Sequence, residues 1–203
     1  MSVNFSKPFF HGSRESVTNP DLIHSRVDID FGQGFYLTQD INMAEKWAVT
    51  KTIPIINSYK FKGYGLSIYE FELDKEWLEF VKANRNADNP ELLKKYNKYD
   101  ILIGPTADDK LYDTIGEYID GIITANEAVK YLNIANHSNQ IVLKTKAAIE
   151  QCQFIEARQI PDDKANIIRK LSSKQRIEAS QKLKELKIQD RLKREREEDD
   201  YGR

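Results

Sequence analysis

Three short stretches carry residues whose types suit chemistry. Near the start stands Phe10-His11-Gly12-Ser13, an imidazole followed by a glycine and a hydroxyl. Next comes Asp30-Phe31-Gly32-Gln33-Gly34-Phe35-Tyr36-Leu37-Thr38, in which two glycines flank one polar residue and an aromatic pair follows directly. Glycine tolerates positive φ and lets backbone come close to a ligand, so such a turn can hold Tyr36 at a fixed place on a groove wall. The same pattern also suits a bulge that leads into a buried strand. Late in the chain, Ser138-Asn139-Gln140-Ile141-Val142 offers an amide that accepts through its carbonyl and donates through its NH2. Such a group can orient a hydroxyl, but it supplies no negative charge and no base. Asp108 and Asp109 stand in a loop opened by Gly104-Pro105, just past a predicted strand end, where function is commonly carried. They suit an acid near a reacting centre, and equally an N-cap for the helix that follows.

The elements that must position these residues are legible from spacing. Pro8 to Ser13 reads as a short buried strand. After the glycine turn, Asp40 is a plausible N-cap, and Ala44, Trp47 and Ala48 recur at i, i+3 and i+4 on one helix face running to about Thr50. Trp47 and Ala44 are read as packing, the small residue letting the helix sit close. Lys60 to Gly65 reads as a loop or hairpin tip, and Leu66 to Leu73 as a half-buried strand with Tyr69, Phe71 and Leu73 on one face. Asp74 caps a helix through Trp77, Leu78 and Val81, and Asp88-Asn89-Pro90 breaks the chain before a short helix at Glu91 to Tyr96. Tyr99 to Gly104 and Asn139 to Lys144 read as strands, with an amphipathic stretch from Leu111 to Ile119 and a capping box at Thr124 and Glu127 between them. A short helix at Lys146 to Ile149 and an edge strand at Phe154 to Arg158 close the body.

Beyond Pro161 the composition changes. Charges dominate, and Ile167, Ile168, Leu171, Ile177, Leu183, Leu186 and Leu192 form a narrow apolar stripe, which predicts a helix docked on the body or on a partner. Lys193 to Asp200 reads as a solvated mixed-charge end. Short strands among helices without a regular βαβ rhythm point to α+β.

Composition narrows the classes. The chain has 203 residues, 40% hydrophobic and 31% charged, with 31 Lys+Arg against 32 Asp+Glu and a net charge of -1. No overall field draws it toward nucleic acid or membrane. Cys152 is the single cysteine, which excludes an intrachain disulfide and a thiol-rich zinc site; His11, His24 and His137 show no close metal-ligand spacing, so no metal is expected. No secretory signal or membrane span is recognised, and a cytoplasmic setting is expected. Gly32-Gln33-Gly34 lacks the third glycine of a dinucleotide fingerprint, and no phosphate-loop pattern occurs.

In their order, the three stretches resemble ADP-ribosyltransferases of the diphtheria-toxin and poly-ADP-ribose-polymerase type. Those enzymes place a His-Gly-Ser/Thr strand, a Gly-x-Gly-Ile/Phe-Tyr-Phe/Leu turn before a small-residue helix, and a late strand with Glu. More narrowly, the chain looks like a bacterial domain family of unknown function with His-Gly-Ser, Asp-Phe-Gly-x-Gly-Phe-Tyr-Leu-Thr, Tyr-Asp-Ile-x-x-Gly-Pro-x-Ala-Asp-Asp and Gln-Ile-Val. The likeness spans roughly residues 8 to 156.

The resemblance implies a split antiparallel β-sheet with flanking helices, taken as a domain over 1–160; the charged helical tail over 161–203 is read from composition and spacing alone. It implies NAD as substrate. His11 would bond the adenosine ribose, the Gly12 backbone would grip the nicotinamide carboxamide, and Ser13 would contact the nicotinamide ribose. Tyr36 would stack on the nicotinamide ring, with Gly34, Phe35 and Thr38 lining the same site. Gln140 falls where the related enzymes carry a catalytic Glu, so Asp109 is the candidate compensating acid, and Arg14 or Lys60 could meet the pyrophosphate. The expected activity is mono-ADP-ribosylation of a macromolecular acceptor, protein or nucleic acid, in the manner of a toxin or defence effector. The alternatives are a silent NAD or ADP-ribose binding module and a nucleic-acid-directed toxin whose tail holds target or antitoxin.

Overall fold

The computed structural model describes residues 3–23, 27, 29–107, 112–134 and 137–201. Its centre is a pair of sheets. The first orders β1 (Phe9–Ser13), β3 (Ile55–Phe61) and β7 (Cys152–Gln159) as β1-β3-β7, all antiparallel. The second orders β2 (Phe35–Leu37), β6 (Asn139–Leu143), β5 (Ile101–Pro105) and β4 (Ile68–Glu70) as β2-β6-β5-β4. Its β2-β6 and β6-β5 pairs are antiparallel, but β4 runs parallel to β5, so the expectation of a wholly antiparallel sheet is corrected at that edge.

Alternation explains why the two sheets stack. Phe9 of β1, Tyr59 and Phe61 of β3, Phe35 and Leu37 of β2, Ile101 and Ile103 of β5, and Ile141 and Leu143 of β6 bury one face of each strand in a shared core between the sheets. The opposite face of the second sheet, with Leu102 and Val142, packs on α2 (Lys75–Asn86), α3 (Pro90–Asn97), α4 (Tyr112–Ile119) and α5 (Ala125–Leu132). There Phe31, Phe71, Phe80 and Tyr96 form an aromatic cluster with ring centroids 4.8–5.6 Å apart. The opposite face of the first sheet takes α1 (Ile41–Ala48) through Ala44, Ala48 and Ile56. A short α6 (Lys146–Glu150) joins β6 to β7.

Helix ends follow the expected caps. Asp40 accepts from the Asn42 N–H, Asp74 from the Trp77 N–H, and Thr124 with Glu127 completes both halves of a capping box. The last element, α7 (Asp162–Tyr201), docks at two places rather than trailing free. Ala165 and Ile168 pack beside α1, and Leu183 and Leu186 pack beside the α2–α5 layer. Lys187–Glu117, Lys130–Asp190 and Lys164–Glu45 ion pairs, each 2.5 Å, pin both ends. No described helix is long and apolar enough to cross a membrane.

Candidate active site

The two sheets are joined at one isolated bridge, between Phe10 and Thr38. The Phe10 N–H donates to the Thr38 carbonyl at 2.8 Å, and the Thr38 N–H donates back at 3.0 Å. Beyond that bridge β1 stays with β3 while β2 follows β6, so the strands part, and the line of parting is called the split. Antiparallel backbone groups alternate in direction. With the polar groups of Phe10 turned to β2, those of His11 turn to β3, and those of Gly12 turn back toward the split. Gly12 therefore presents an N–H and a C=O to the split, past the last backbone bridge to β2.

The residue must be glycine for a separate reason. A Cβ there would lie 2.3 Å from the Ala44 carbonyl oxygen and 2.6 Å from the Ala48 nitrogen. Thus α1 lies directly on β1, as the small residues on its face allow, and half-buried Trp47 stands beside the same point.

His11 lies where the strands part. Its Nδ1 donates to the Tyr36 carbonyl at 2.8 Å, satisfying a group that a continuous ladder would have paired with backbone. The ring packs against Phe35, with centroids 4.7 Å apart. Donation from Nδ1 makes Nε2 the acceptor of the neutral tautomer, and Nε2 has no hydrogen-bond partner among the described residues. Burial lowers the pKa of this histidine below its ordinary value; the bond to Tyr36 opposes that shift, and the Lys51 ammonium adds to it.

Tyr36 leaves β2 on the other face, with Val142 and the helical core. Its hydroxyl donates to the Gly32 carbonyl at 2.7 Å and accepts from the Phe31 N–H at 3.1 Å, so the phenol is anchored to the glycine turn and the ring stays half-buried. Gly32 sits at φ +65°, the conformation that turn demands. By alternation along β6, Gln140 shares this face. It is 3% exposed, and its Nε2 donates to the Pro105 carbonyl at 3.2 Å, beside the Trp77 indole donating to the same oxygen. Its Oε1 has no partner among the described residues. His11 and Tyr36 are thus in direct contact through the backbone of β2, while Gln140 stands one strand further on, with its amide nitrogen already engaged.

Other expected ligand contacts act as supports. Thr38 is fully buried; its Oγ donates to the Asn139 carbonyl at 3.0 Å and accepts from the Asp40 N–H at 3.1 Å, tying β2 to β6 and to the start of α1. The Ser13 hydroxyl donates to the Glu15 carbonyl and accepts from the buried Asn57 amide at 2.9 Å. Phe35 lies in the core between the sheets, and a Cβ on Gly34 would meet Val142 at 2.4 Å. Asp108 and Asp109 lie outside the described residues, as does His24. Arg14 pairs loosely with Glu15 at 3.8 Å on the surface. Among the described residues, no group of three His, Cys, Asp or Glu could hold a metal.

Three residues to which the sequence assigned no part in the site, Asp30, Asp40 and Asn57, hold this arrangement together. Asp30 accepts from Arg85 at 2.5 Å and from the Ala107 N–H at 3.2 Å, clamping the glycine turn to the loop after β5. Asp40 accepts from the Ser138 hydroxyl at 2.5 Å. Burial raises the Asp40 pKa, but bonds from Ser138, Asn42 and Met43 bring it below the ordinary carboxylate value. Asn57 bonds Ser13 and the Val17 N–H. Asp30 opens the glycine-turn motif and Asp40 reads from sequence only as a cap, whereas Asn57 sits in an Ile/Tyr-type strand run that Ile55, Ile56, Tyr59 and Phe61 could have signalled.

A family model described as a protein of unknown function (DUF3990) matches residues 8–154. No curated protein and no solved structure matches the chain.

Proposed function

The chain belongs to the DUF3990 family, and we propose that it is a NAD-dependent mono-ADP-ribosyltransferase acting at the split between β1 and β2. The observation that carries this reading is the backbone of Gly12. A carboxamide needs one acceptor for its NH2 and one donor for its carbonyl, and the C=O and N–H of Gly12 face the split as that pair. His11 Nε2, on the Phe35 side of β2, adds an acceptor suited to a ribose hydroxyl, while Gln140 Oε1 and the anchored ring of Tyr36 stand on the other face, where a bent NAD would have to reach them around the strand end.

The chemistry follows. The bond between nicotinamide nitrogen and ribose C1′ breaks, and nicotinamide leaves as a neutral molecule with the bonding pair. The ribose becomes oxocarbenium-like, as in glycoside hydrolysis. A nucleophile on the acceptor closes on C1′ and gives its proton to solvent. This chain's part is to hold NAD bent and to exclude wrong geometries, which alone accounts for much of such a barrier. Gln140 orients the 2′-hydroxyl; as an amide it lends no charge to the cation, which favours single transfer over chain elongation. A cytosolic setting, where NAD is plentiful, fits.

A second reading is favoured by one observation, the bond from Gln140 Nε2 to Pro105. An amide held in this way by the protein suits a module that binds NAD or ADP-ribose without turnover. Labelled NAD with purified protein and lysate separates the two. Transfer predicts free nicotinamide and a labelled acceptor, both lost in His11→Ala; saturable NAD binding with intact NAD predicts the module. Label that resists protease but not nuclease would identify a nucleic-acid acceptor.

A further inference from the structure

On the α2 side of the glycine turn lies a cavity of about 390 Å³ walled by Gly32, Gln33, Asn84, Arg85, Leu93 and Lys144 among others. That volume falls within the roughly 300–1,000 Å³ of small-molecule sites. No carboxylate lines it among the described residues. The two cations differ in their circumstances. Arg85 is turned to Asp30 at 2.5 Å. Lys144, one residue past β6, donates from Nζ to the Phe31 carbonyl at 2.6 Å, and that neutral oxygen is its one polar partner among the described residues.

An ammonium withdrawn from water beside a lone carbonyl is poorly compensated. Burial accordingly pulls the Lys144 pKa down to about 8. Among the described residues, Arg85 from α2 and Asp30 from the turn are the charged groups beside it, and they pair with each other. The carbonyl end of α2, at Asn84 to Ala87, favours positive charge here but leaves that shift in place. Among the described residues, the lining of the cavity supplies no anion.

We propose that this cavity binds a small phosphorylated molecule, with a phosphate oxygen on Lys144 Nζ and polar substituents against the amides of Asn84 and Gln33. Lysine serves phosphate as a point charge, and a phosphate dianion returns to Lys144 the counter-charge that the protein withholds. The remaining volume and the Leu93 wall exceed what bare phosphate would fill. The site stands independently of the transferase reading, but it shares the turn that holds Tyr36, since Lys144 bonds the Phe31 carbonyl and Tyr36 accepts from the Phe31 N–H.

The test uses the full chain with lysine side chains labelled at the ε-carbon, titrated with ribose 5-phosphate and followed by NMR. The Lys144 resonance is assigned by its loss in Lys144→Met. The expected result is saturable movement of that resonance, a raised Lys144 pKa in the bound state, and binding about tenfold weaker at pH 9 than at pH 7, as the free amine loses its proton near pH 8. Lys144→Arg, which keeps the charge, should retain binding that Lys144→Met loses. A Lys144 resonance indifferent to ribose 5-phosphate overturns the proposal, and so does an equal response to unphosphorylated ribose. The wild-type titration decides even if a variant folds poorly.

Discussion

The His11 ring donates from Nδ1 to the carbonyl of Tyr36, 2.8 Å away, at the point where the two sheets part. One hydrogen bond thereby engages the Tyr36 carbonyl, fixes the tautomer and leaves Nε2 as the acceptor of the ring. The same burial has a thermodynamic consequence. The native pKa of His11 lies below the ordinary value of 6.5, so on acidification the unfolded chain takes up its proton first. The contribution of neutral His11 is complete above about pH 6.5 and is lost as pH falls through the native value. Urea unfolding at pH 7 and pH 5 should show the wild type losing stability, and His11→Gln losing measurably less. The native carboxylates with lowered pKa values, Asp40 and Asp100 among them, act at lower pH and leave this difference visible.

Gly12 separates packing from conformation. Gly12→Ala puts a methyl against backbone atoms of Ala44 and Ala48, which cannot rotate away, so α1 must shift. A cost of about 1–3 kcal/mol is expected, with His11 displaced and, under the proposed function, NAD binding lost. Gly116 in α4 has open space around it, and Gly116→Ala should be neutral or gain up to about 1 kcal/mol. Thermal denaturation of the two variants side by side checks the contrast.

Asp30 and Arg85 form a largely buried pair, with side chains 16% and 12% exposed. Asp30→Asn removes the carboxylate charge that the Arg85 guanidinium meets at 2.5 Å and weakens the hold on Ala107, for an expected loss of about 3 kcal/mol. Asp30→Asn combined with Arg85→Met should lose less than the sum of the single changes. A double-mutant cycle in urea measures that coupling.

Much of this fold was legible. Caps at Asp40, Asp74 and Thr124 are local chemistry, and α1, α2 and α5 begin where those side chains bond the backbone. β3 was missed: Ile55 to Phe61 is buried on both faces, so it lacks the alternation that marks a half-buried strand. The parallel pairing of β4 with β5 is a long-range choice that no local spacing encodes. At the site, His11, Gly12 and Tyr36 stood in motifs. The roles of Thr38 and Ser13 as internal ties depend on Asn139 and Asn57, far away in the chain. Lys144 gave no signal because its isolation arises only when β6 delivers it beside the glycine turn.

The tail is part of the body's stability. Leu183, 7% exposed, enters the helical core, and Leu183→Ala should cost about 2–4 kcal/mol. Leu192, 47% exposed on the same helix, should change stability by less than about 0.5 kcal/mol as Leu192→Ala. Chemical denaturation of both variants tests whether α7 is docked where the ion pairs place it.

The most direct test of the proposed activity is the nicotinamide released when purified protein meets NAD, with and without lysate. The account predicts release above the buffer rate, a mass increase of one ADP-ribose on an acceptor, and loss of both in His11→Ala and Gly12→Ala. NAD that remains intact and unbound, or release that His11→Ala leaves unchanged, would contradict it.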